Sequence, residues 1–462
     1  MRWLTKDREF YRTFFYMLAY IALQNLIVYG VNLADNVMIG AYSEDALSGV
    51  ALVNQIQFLL QMIVNGVGEG LAVLGAQYWG QRKTGPIKKV VSAATFVGVC
   101  FGLLFMVVTI VAPRQVLLLL TNEEAVIQEG MVYLSVMSYS YVIFCLTTVL
   151  LAAMRSIQNV KIGTIISLST LLINVALNYC LIFGRLGFPR LGTQGAAIAT
   201  LVARIVELGI MAVYVLCVEK KLRMRIQDFF HFDKVLFRDF LRVGSPVILS
   251  GATWGIAMGV QTAILGRMGA AAIAANSIAS AIFSVVSVLS YGGSSASGVI
   301  TGMAVGRGDM GKLKEYVRTM QLLFLTIGVI AGVLLFACKD LILSFYTVAA
   351  DTRQLADQFI SVLSVTIMGT SYQVACLTGI VRAGGNTKFV LYNDLIFMWG
   401  LVLPLSALGA FVWELSPLVV FIFLKCDQIL KCFVAVWQVN SYHWVRRLTR
   451  EEPASDPQPA KA

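Results

Sequence analysis

NLIVYGVNLADNVMIG, residues Asn25–Gly40, lies late in the first long apolar segment of the chain and carries Asp35 within it. An aspartate at bilayer depth costs roughly 2.5–3.5 kcal/mol on insertion scales, so it is rarely placed there for structure and reads first as a coupling or binding site. The segment begins near Thr13, behind Arg2, Lys6, Arg8 and Arg12. It is too long for the apolar core of a cleavable signal and predicts a first membrane helix that is retained.

The rest of the chain has the same character. Its 462 residues are 58% hydrophobic and 13% charged, against about 25% charged in a soluble domain. Apolar segments occur at about 13–39, 47–78, 90–112, 127–154, 162–184, 194–218, 243–265, 271–304, 317–338, 354–381, 389–411 and 417–439. They predict an all-α polytopic membrane protein with twelve transmembrane helices. The short alternating strands of a membrane β-barrel are not present. The net charge of +11 is spread over loops rather than gathered with aromatics on one face, which argues against nucleic-acid binding. The eight cysteines are scattered without a CxxC pair, and His231 and His443 stand apart in or beside loops. No metal site is expected, and no converging catalytic group that would make an enzyme.

Lysine and arginine set the orientation. With the N-terminus inside, inner segments hold 27 of these residues and outer loops 6. The expectation is a multi-pass protein of the cell membrane with both termini cytoplasmic.

The chain also repeats itself. A shift of 226 residues places Gly40 on Gly266, Gly66 on Gly292, Gly80 on Gly306, Gly85 on Gly311 and Lys88 on Lys314. One residue later in register, RSIQNVK from Arg155 answers RAGGNTK from Arg382. The expected organisation is a six-helix lobe over 1–218, a cytoplasmic linker over 219–242, a second six-helix lobe over 243–440 and a cytoplasmic tail over 441–462. Halves with an even helix count insert the same way round, related by a pseudo-two-fold axis along the membrane normal. That duplication favours transport over membrane-bound catalysis.

Polar residues fall in stripes at helical spacing. Asn25, Asn32 and Asn36 share a face of the first helix, with Asp35 beside them. Asn54, Gln57, Gln61, Asn65 and Glu69 run along the second, Ser167, Thr170, Asn174 and Asn178 along the fifth, and Thr200, Arg204 and Glu207 along the sixth. Such stripes face one another or water, not lipid. Together they predict a polar chamber in the first lobe, including Asp35, Asn32, Asn36, Asn65, Glu69 and Glu207. Glu69, between two glycines, reads either as a functional acid or as a buried protonated one. Arg204 and Glu207 are spaced for an ion pair within one helix, as are Asp427 and Lys431. Asp394, near the inner end of the eleventh helix, reads either as a snorkelling or capping residue or as a functional acid. The repeat places Gln261 opposite Asp35 and Ser295 opposite Glu69, so the second lobe is expected to be the neutral one. Tyr139, Tyr141, Trp254, Phe283 and Tyr291 are candidates for contact with a flat organic cation, with ordinary helix packing as the alternative.

NLADNVMIG, GAQYWGQ after the second helix, INVALNYCLIFG, LGTQGAAIAT and, in the second half, GRMGAAAIAANSIAS and VRAGGNTK together resemble the multidrug and toxic compound extrusion (MATE) transporters. The resemblance runs through about Val439. It implies twelve helices in two lobes and export of organic, often cationic, compounds against entry of H⁺ or Na⁺. It also implies that Asp35 is the main ion-coupling residue, with Asn174, Asn178 and Thr200 in the same site. Some members carry an acid in the seventh helix; here that region reads SGATWG. The first proline is Pro86, so no proline bends the first helix.

The expected activity is therefore secondary antiport by alternating access. The coupling ion is H⁺ or Na⁺, with Na⁺ at Asp35 if it is the latter, and no cofactor or metal is otherwise required. One charge crossing ~100 mV supplies about 2.3 kcal/mol, enough for roughly a 50-fold substrate gradient. The alternative reading is a lipid-linked saccharide flippase of the same superfamily, which would carry a more cationic cavity. The expected partners are a small organic molecule and the bilayer, with no nucleic acid, and the protein is expected to act as a monomer.

Overall fold

Several helix starts are fixed by short polar side chains. Asp7 accepts from the backbone N–H of Glu9, Ser43 from Ala46, Asp233 from Val235 and Leu236, and Asp309 from Lys312. Each cap satisfies an otherwise unpaired donor and is typically worth ~1 kcal/mol. Between these starts the apolar runs become helix throughout. The computed structural model describes residues 4–346 and 348–450, and among these no strand occurs.

The spans, numbered in chain order, are Arg8–Gly40, Glu44–Gly80, Thr84–Val111, a bent fourth (Glu124–Met137 and Ser140–Ser156), Lys161–Phe183, and Gly192–Val213 continued to Val218 by a wide π-type turn. The second half supplies Lys234–Gly266, a bent eighth (Ala270–Val286 and Val288–Arg307), Met310–Ser344, Ala350–Gln373 continued to Val381, Thr387–Asp394 continued to Phe411, and a final pair, Pro417–Lys425 and Asp427–Ser441. Among the described residues, nine spans are long and apolar enough to cross a membrane unbroken, and the fourth and eighth do so across bends of 56° and 43°. The last is more polar because it contains Lys425, Asp427 and Lys431. The first span is continuous, as its lack of proline predicts, whereas the seventh contains Pro246.

The linker differs in extent from its sequence reading. The seventh helix starts at Lys234, and the short helix Ile226–Phe230 lies before it. Ion pairs Lys88–Asp228 at 2.8 Å and Lys89–Asp233 at 3.0 Å tie this connection to the start of the third span. Of the predicted tail, Tyr442–Arg450 is ordered against the bundle, and 451–462 lie outside the described residues.

The two repeats meet through backbone. A Cβ placed on Gly66 would lie 2.7 Å from the Ile248 Cα, and one on Gly292 would lie 3.4 Å from the Ala22 nitrogen. Gly292 and Ile248 are the repeat equivalents of Gly66 and Ala22, so this is one contact made twice. The same holds for Gly80 against the Met303 carbonyl and Gly306 against the Gln77 carbonyl, 2.3 and 2.0 Å from such a Cβ. Only glycine permits so close a backbone approach.

The crossings also exchange partners between lobes. Phe10, Phe14, Met17 and Ile21 of the first span belong to the apolar core built by the eighth, ninth, tenth and twelfth spans. Leu236, Phe240 and Val243 of the seventh join the core of the first lobe. Both exchanges lie at the face bearing the chain termini, where Thr5 N–H donates to Thr319 Oγ1 at 2.9 Å and Tyr316 OH donates to Asp7. Apolar side chains exposed on the outer surface, among them Leu104, Val107, Val333 and Leu334, suit contact with lipid.

Candidate ion site in the first lobe

Asp35 stands little more than one turn from the end of the first span, on the half of the bundle away from the termini. Asn174 and Asn178 are one turn apart on the fifth span, and Thr200 is two turns into the sixth. Their spacing turns all three toward the first helix. The amide of Asn178 donates to Asp35 Oδ1 and, at 3.2 Å, to Asn174 Oδ1. Asn174 Nδ2 donates to Thr200 Oγ1 at 3.3 Å. Asn174 and Asn178 are 1% and 0% exposed. The result is a carboxylate held by a relay of neutral groups, with no direct counter-ion among the described residues.

The other carbonyl-type oxygen of this relay, Asn178 Oδ1, is buried without a hydrogen-bond partner among the described residues, as is Thr170 Oγ1 one turn before Asn174. Buried polar atoms are nearly always paired, so two orphaned oxygens on the stripe leading to Asp35 mark unused acceptor capacity. Tyr133, 3% exposed, is packed beside Thr200 and Asp35. Sequence reading missed it. Its only signal is a helical spacing with Met137 and Tyr141, and that spacing equally describes plain core, which is what Tyr141 at 0% exposure is.

The predicted chamber is only partly assembled. Arg204 and Glu207 form the expected ion pair at 3.0 Å, with the guanidinium over the Phe144 ring at 4.8 Å. Glu207 thus answers to Arg204 and makes no hydrogen bond to Asp35. Asn32 and Asn36 are exposed on their helix and make no side-chain hydrogen bond among the described residues. Asn65 is half-buried on the second span.

Glu69 is not in this chamber at all. It lies about 22 Å along the second helix from Asn54 at 1.5 Å per residue, toward the termini. There it accepts from Arg382 Nη1 of the other lobe at 3.2 Å, with Arg155 lining the same small cleft. Helical periodicity identified the polar face correctly but could not tell which lobe that face meets.

The second lobe is not neutral inside, contrary to expectation. Asp427 and Lys431 pair as their spacing predicts, at 3.3 Å, and Asp394 completes a triad with Lys431 at 3.1 Å. Ser250, one turn after Pro246, donates to Asp394 at 2.7 Å. Asp394 therefore neither snorkels nor caps. The aromatic candidates divide: Tyr139 is 53% exposed at the bend of the fourth span, Tyr291 is 38% exposed, Trp254 lies 6.2 Å from the Phe58 ring across the lobes, and Phe283 packs on the outer core of the second lobe.

The family model described as MatE matches residues 21–180 and 246–408, two blocks that coincide with the two repeats. The chain belongs to the MatE family. This MatE chain is 25% identical to an uncharacterized transporter, YisQ, of Bacillus subtilis over 90% of each chain. It is likewise 25% identical to a probable multidrug resistance protein, NorM, of Thermotoga maritima over 93% of this chain and 92% of that one. Its fold matches a MOP superfamily transporter from Pyrococcus furiosus at a TM-score of 0.85 and 17% identity, covering 95% and 98% of the two chains. It also matches a variant of the Vibrio cholerae MATE transporter VcmN at 0.85 and 18%, with the same coverage. The MatE chain is thus a multi-pass membrane transporter and not an enzyme.

Proposed function

We propose that the protein exports organic, chiefly cationic, compounds from the cell in exchange for H⁺ or Na⁺, with the ion bound at Asp35. The observation that carries this reading is the Asp35–Asn178–Asn174–Thr200 relay: an acid within an apolar span, held by neutral donors and, among the described residues, without a direct counter-ion. A proton or sodium ion neutralises that carboxylate, and neutralising it is what the fold can convert into movement, because the cost of an unpaired charge in lipid is removed. Oxygen-only ligands suit either ion: the carboxylate and the orphaned Oδ1 of Asn178 are hard donors. The multidrug names of relatives such as NorM support the substrate class.

In this reading the face carrying both termini is cytoplasmic, in accordance with the distribution of lysine and arginine. The close crossings at Gly80 and Gly306 lie on that face, and Asp35 sits toward the other. Ion entry then occurs from outside, and alternation requires the seam near the termini to part. The test is export of a fluorescent organic cation from proteoliposomes with pH and sodium gradients imposed separately. The wild type responds to one gradient, and Asp35→Asn loses that response. Undiminished gradient-driven export by Asp35→Asn overturns the assignment.

A further inference from the structure

The GAQYWGQ stretch that closes the second span has no part in the ion site, yet it holds a fully buried glutamine. Gln77 is 0% exposed, and every hydrogen bond of its side chain goes to the second half of the chain. Its Nε2 donates to the Ala383 carbonyl at 3.2 Å and the Arg446 carbonyl at 3.3 Å, and its Oε1 accepts from Leu448 N–H at 2.9 Å. Gln81, one turn on, donates to the Gly306 carbonyl and to Thr449 Oγ1. Arg450 N–H donates to Tyr78 OH at 3.3 Å, and its guanidinium makes a two-pronged pair with Asp239 at the start of the seventh span.

The segment that receives these contacts is firmly seated on its own lobe. The last span ends at Ser441, and Tyr442 reverses the chain with φ of 56°. Trp444 is 0% exposed, donates from its indole to the Val439 carbonyl at 2.9 Å, and lies flat where a side chain at Gly384 would be, 2.0 Å from a Cβ placed there. Arg446 N–H donates to the Gly384 carbonyl at 2.7 Å. So Tyr442–Arg446 is anchored to the second lobe and 446–450 reaches over the seam to the first. The crossing uses main-chain groups read by two glutamines, a register-specific clasp rather than a general charge attraction.

We propose that residues 442–450 are a strap that holds the seam shut at this face and must leave the second span in every transport cycle. The inference rests on the alternating-access reading above, because parting the lobes here is impossible while Gln77 remains bonded to Ala383, Arg446 and Leu448.

The experiment is a double variant, Gln81→Cys with Thr449→Cys, joined by a short reversible bis-thiosulfonate and assayed for gradient-driven cation export in proteoliposomes. Joining is expected to lower export at least tenfold and dithiothreitol to restore it, with either single variant unaffected by the reagent. Full export by the joined protein overturns the proposal, as does failure of the two thiols to join, since that means the segment is not seated on the second span. A second measurement does not depend on export. In Thr449→Ala with Arg450→Ala, a cysteine at Ser295, which lines the cleft of Glu69 and Arg382 between the lobes, should react at least threefold faster with an impermeant maleimide, above the wild-type background. An unchanged rate overturns the strap. The wild type in the same vesicles separates the two readings: a wild type without export counts against the exporter, and a joined variant that exports counts against the strap.

Discussion

Arg382 reaches from the second lobe to Glu69 in the first and donates to its carboxylate at 3.2 Å. Arg155, which the repeat pairs with Arg382, lines the same cleft, so two symmetry-related cations share one acid that has no symmetry mate. Removing the acid strands both cations, whereas removing Arg382 leaves Glu69 with Arg155. Glu69→Gln is therefore expected to destabilise more than Arg382→Gln. Thermal unfolding in detergent over the full double-mutant cycle should give a coupling of about 1–2 kcal/mol, within the range for residues in direct contact. Additive effects would place the two residues apart.

Lys431 sits between Asp394 and Asp427 with 6% of its side chain exposed, and Asp427 with 1%. Breaking a buried pair by removing one partner typically costs ~3–5 kcal/mol, while replacing all members by hydrophobic residues of similar volume is often neutral or stabilising. Lys431→Met should accordingly lower the unfolding temperature sharply. Asp394→Leu and Asp427→Leu added to Lys431→Met should recover most of it. The contrast between the single and triple variants is the measurement.

Among the described residues, Asn178 is the one whose side chain donates to Asp35. Asn178→Ala removes the donor but leaves the acid, so gradient-driven export should persist with a shifted ion requirement. The ion concentration for half-maximal export is expected to move by at least about tenfold, since a hydrogen bond to a charged group is worth about 1.5–3 kcal/mol. Titration of export rate against each ion reads this directly. Complete loss, as with Asp35→Asn, would make Asn178 itself indispensable.

The linker gives a pH prediction with a definite sign. Hydrogen bonding from Lys89 holds the Asp233 carboxyl below its usual 3.8, and the Tyr316 hydroxyl does the same for Asp7. A depressed carboxyl contributes stability that is complete above the unfolded value and lost as pH falls through the folded one. Docking of the linker and of the N-terminus should therefore be unchanged from pH 8 to pH 5 and weaken only below about 3.8. Hydrogen exchange of 219–234 at pH 8 and 5, corrected for intrinsic rates, checks the first half, and proteolysis with an acid-active protease checks the second.

What the sequence made legible is what depends on neighbours along one helix or on a repeat. The Arg204–Glu207 and Asp427–Lys431 pairs lie within a single turn, so spacing alone places them. The glycine register foretold which residues are equivalent, and the apolar runs foretold the spans. Contacts between distant elements were not legible. Arg382 is 313 residues from Glu69 and Asp394 is 37 from Lys431, and a helical face says nothing of which helix it meets. The neutral second lobe was misjudged for that reason: its triad draws on the eleventh and twelfth spans, not on the positions that mirror Asp35 and Glu69. Gln77 was hidden too, because a buried glutamine serving a distant backbone looks like any polar residue at a helix end.

The doubled crossings of Gly66 with Ile248 and Gly292 with Ala22, deeper in the bundle than the strap, are made close by main chain. A bearing built from peptide groups expresses no chemical preference of its own. Side chains that line the cavity can drift in size, charge and polarity without disturbing the pivot, provided the glycines stay. The fold thereby separates what is recognised from how it moves, which leaves a protein of this shape free to acquire new cargo while keeping one mechanical cycle.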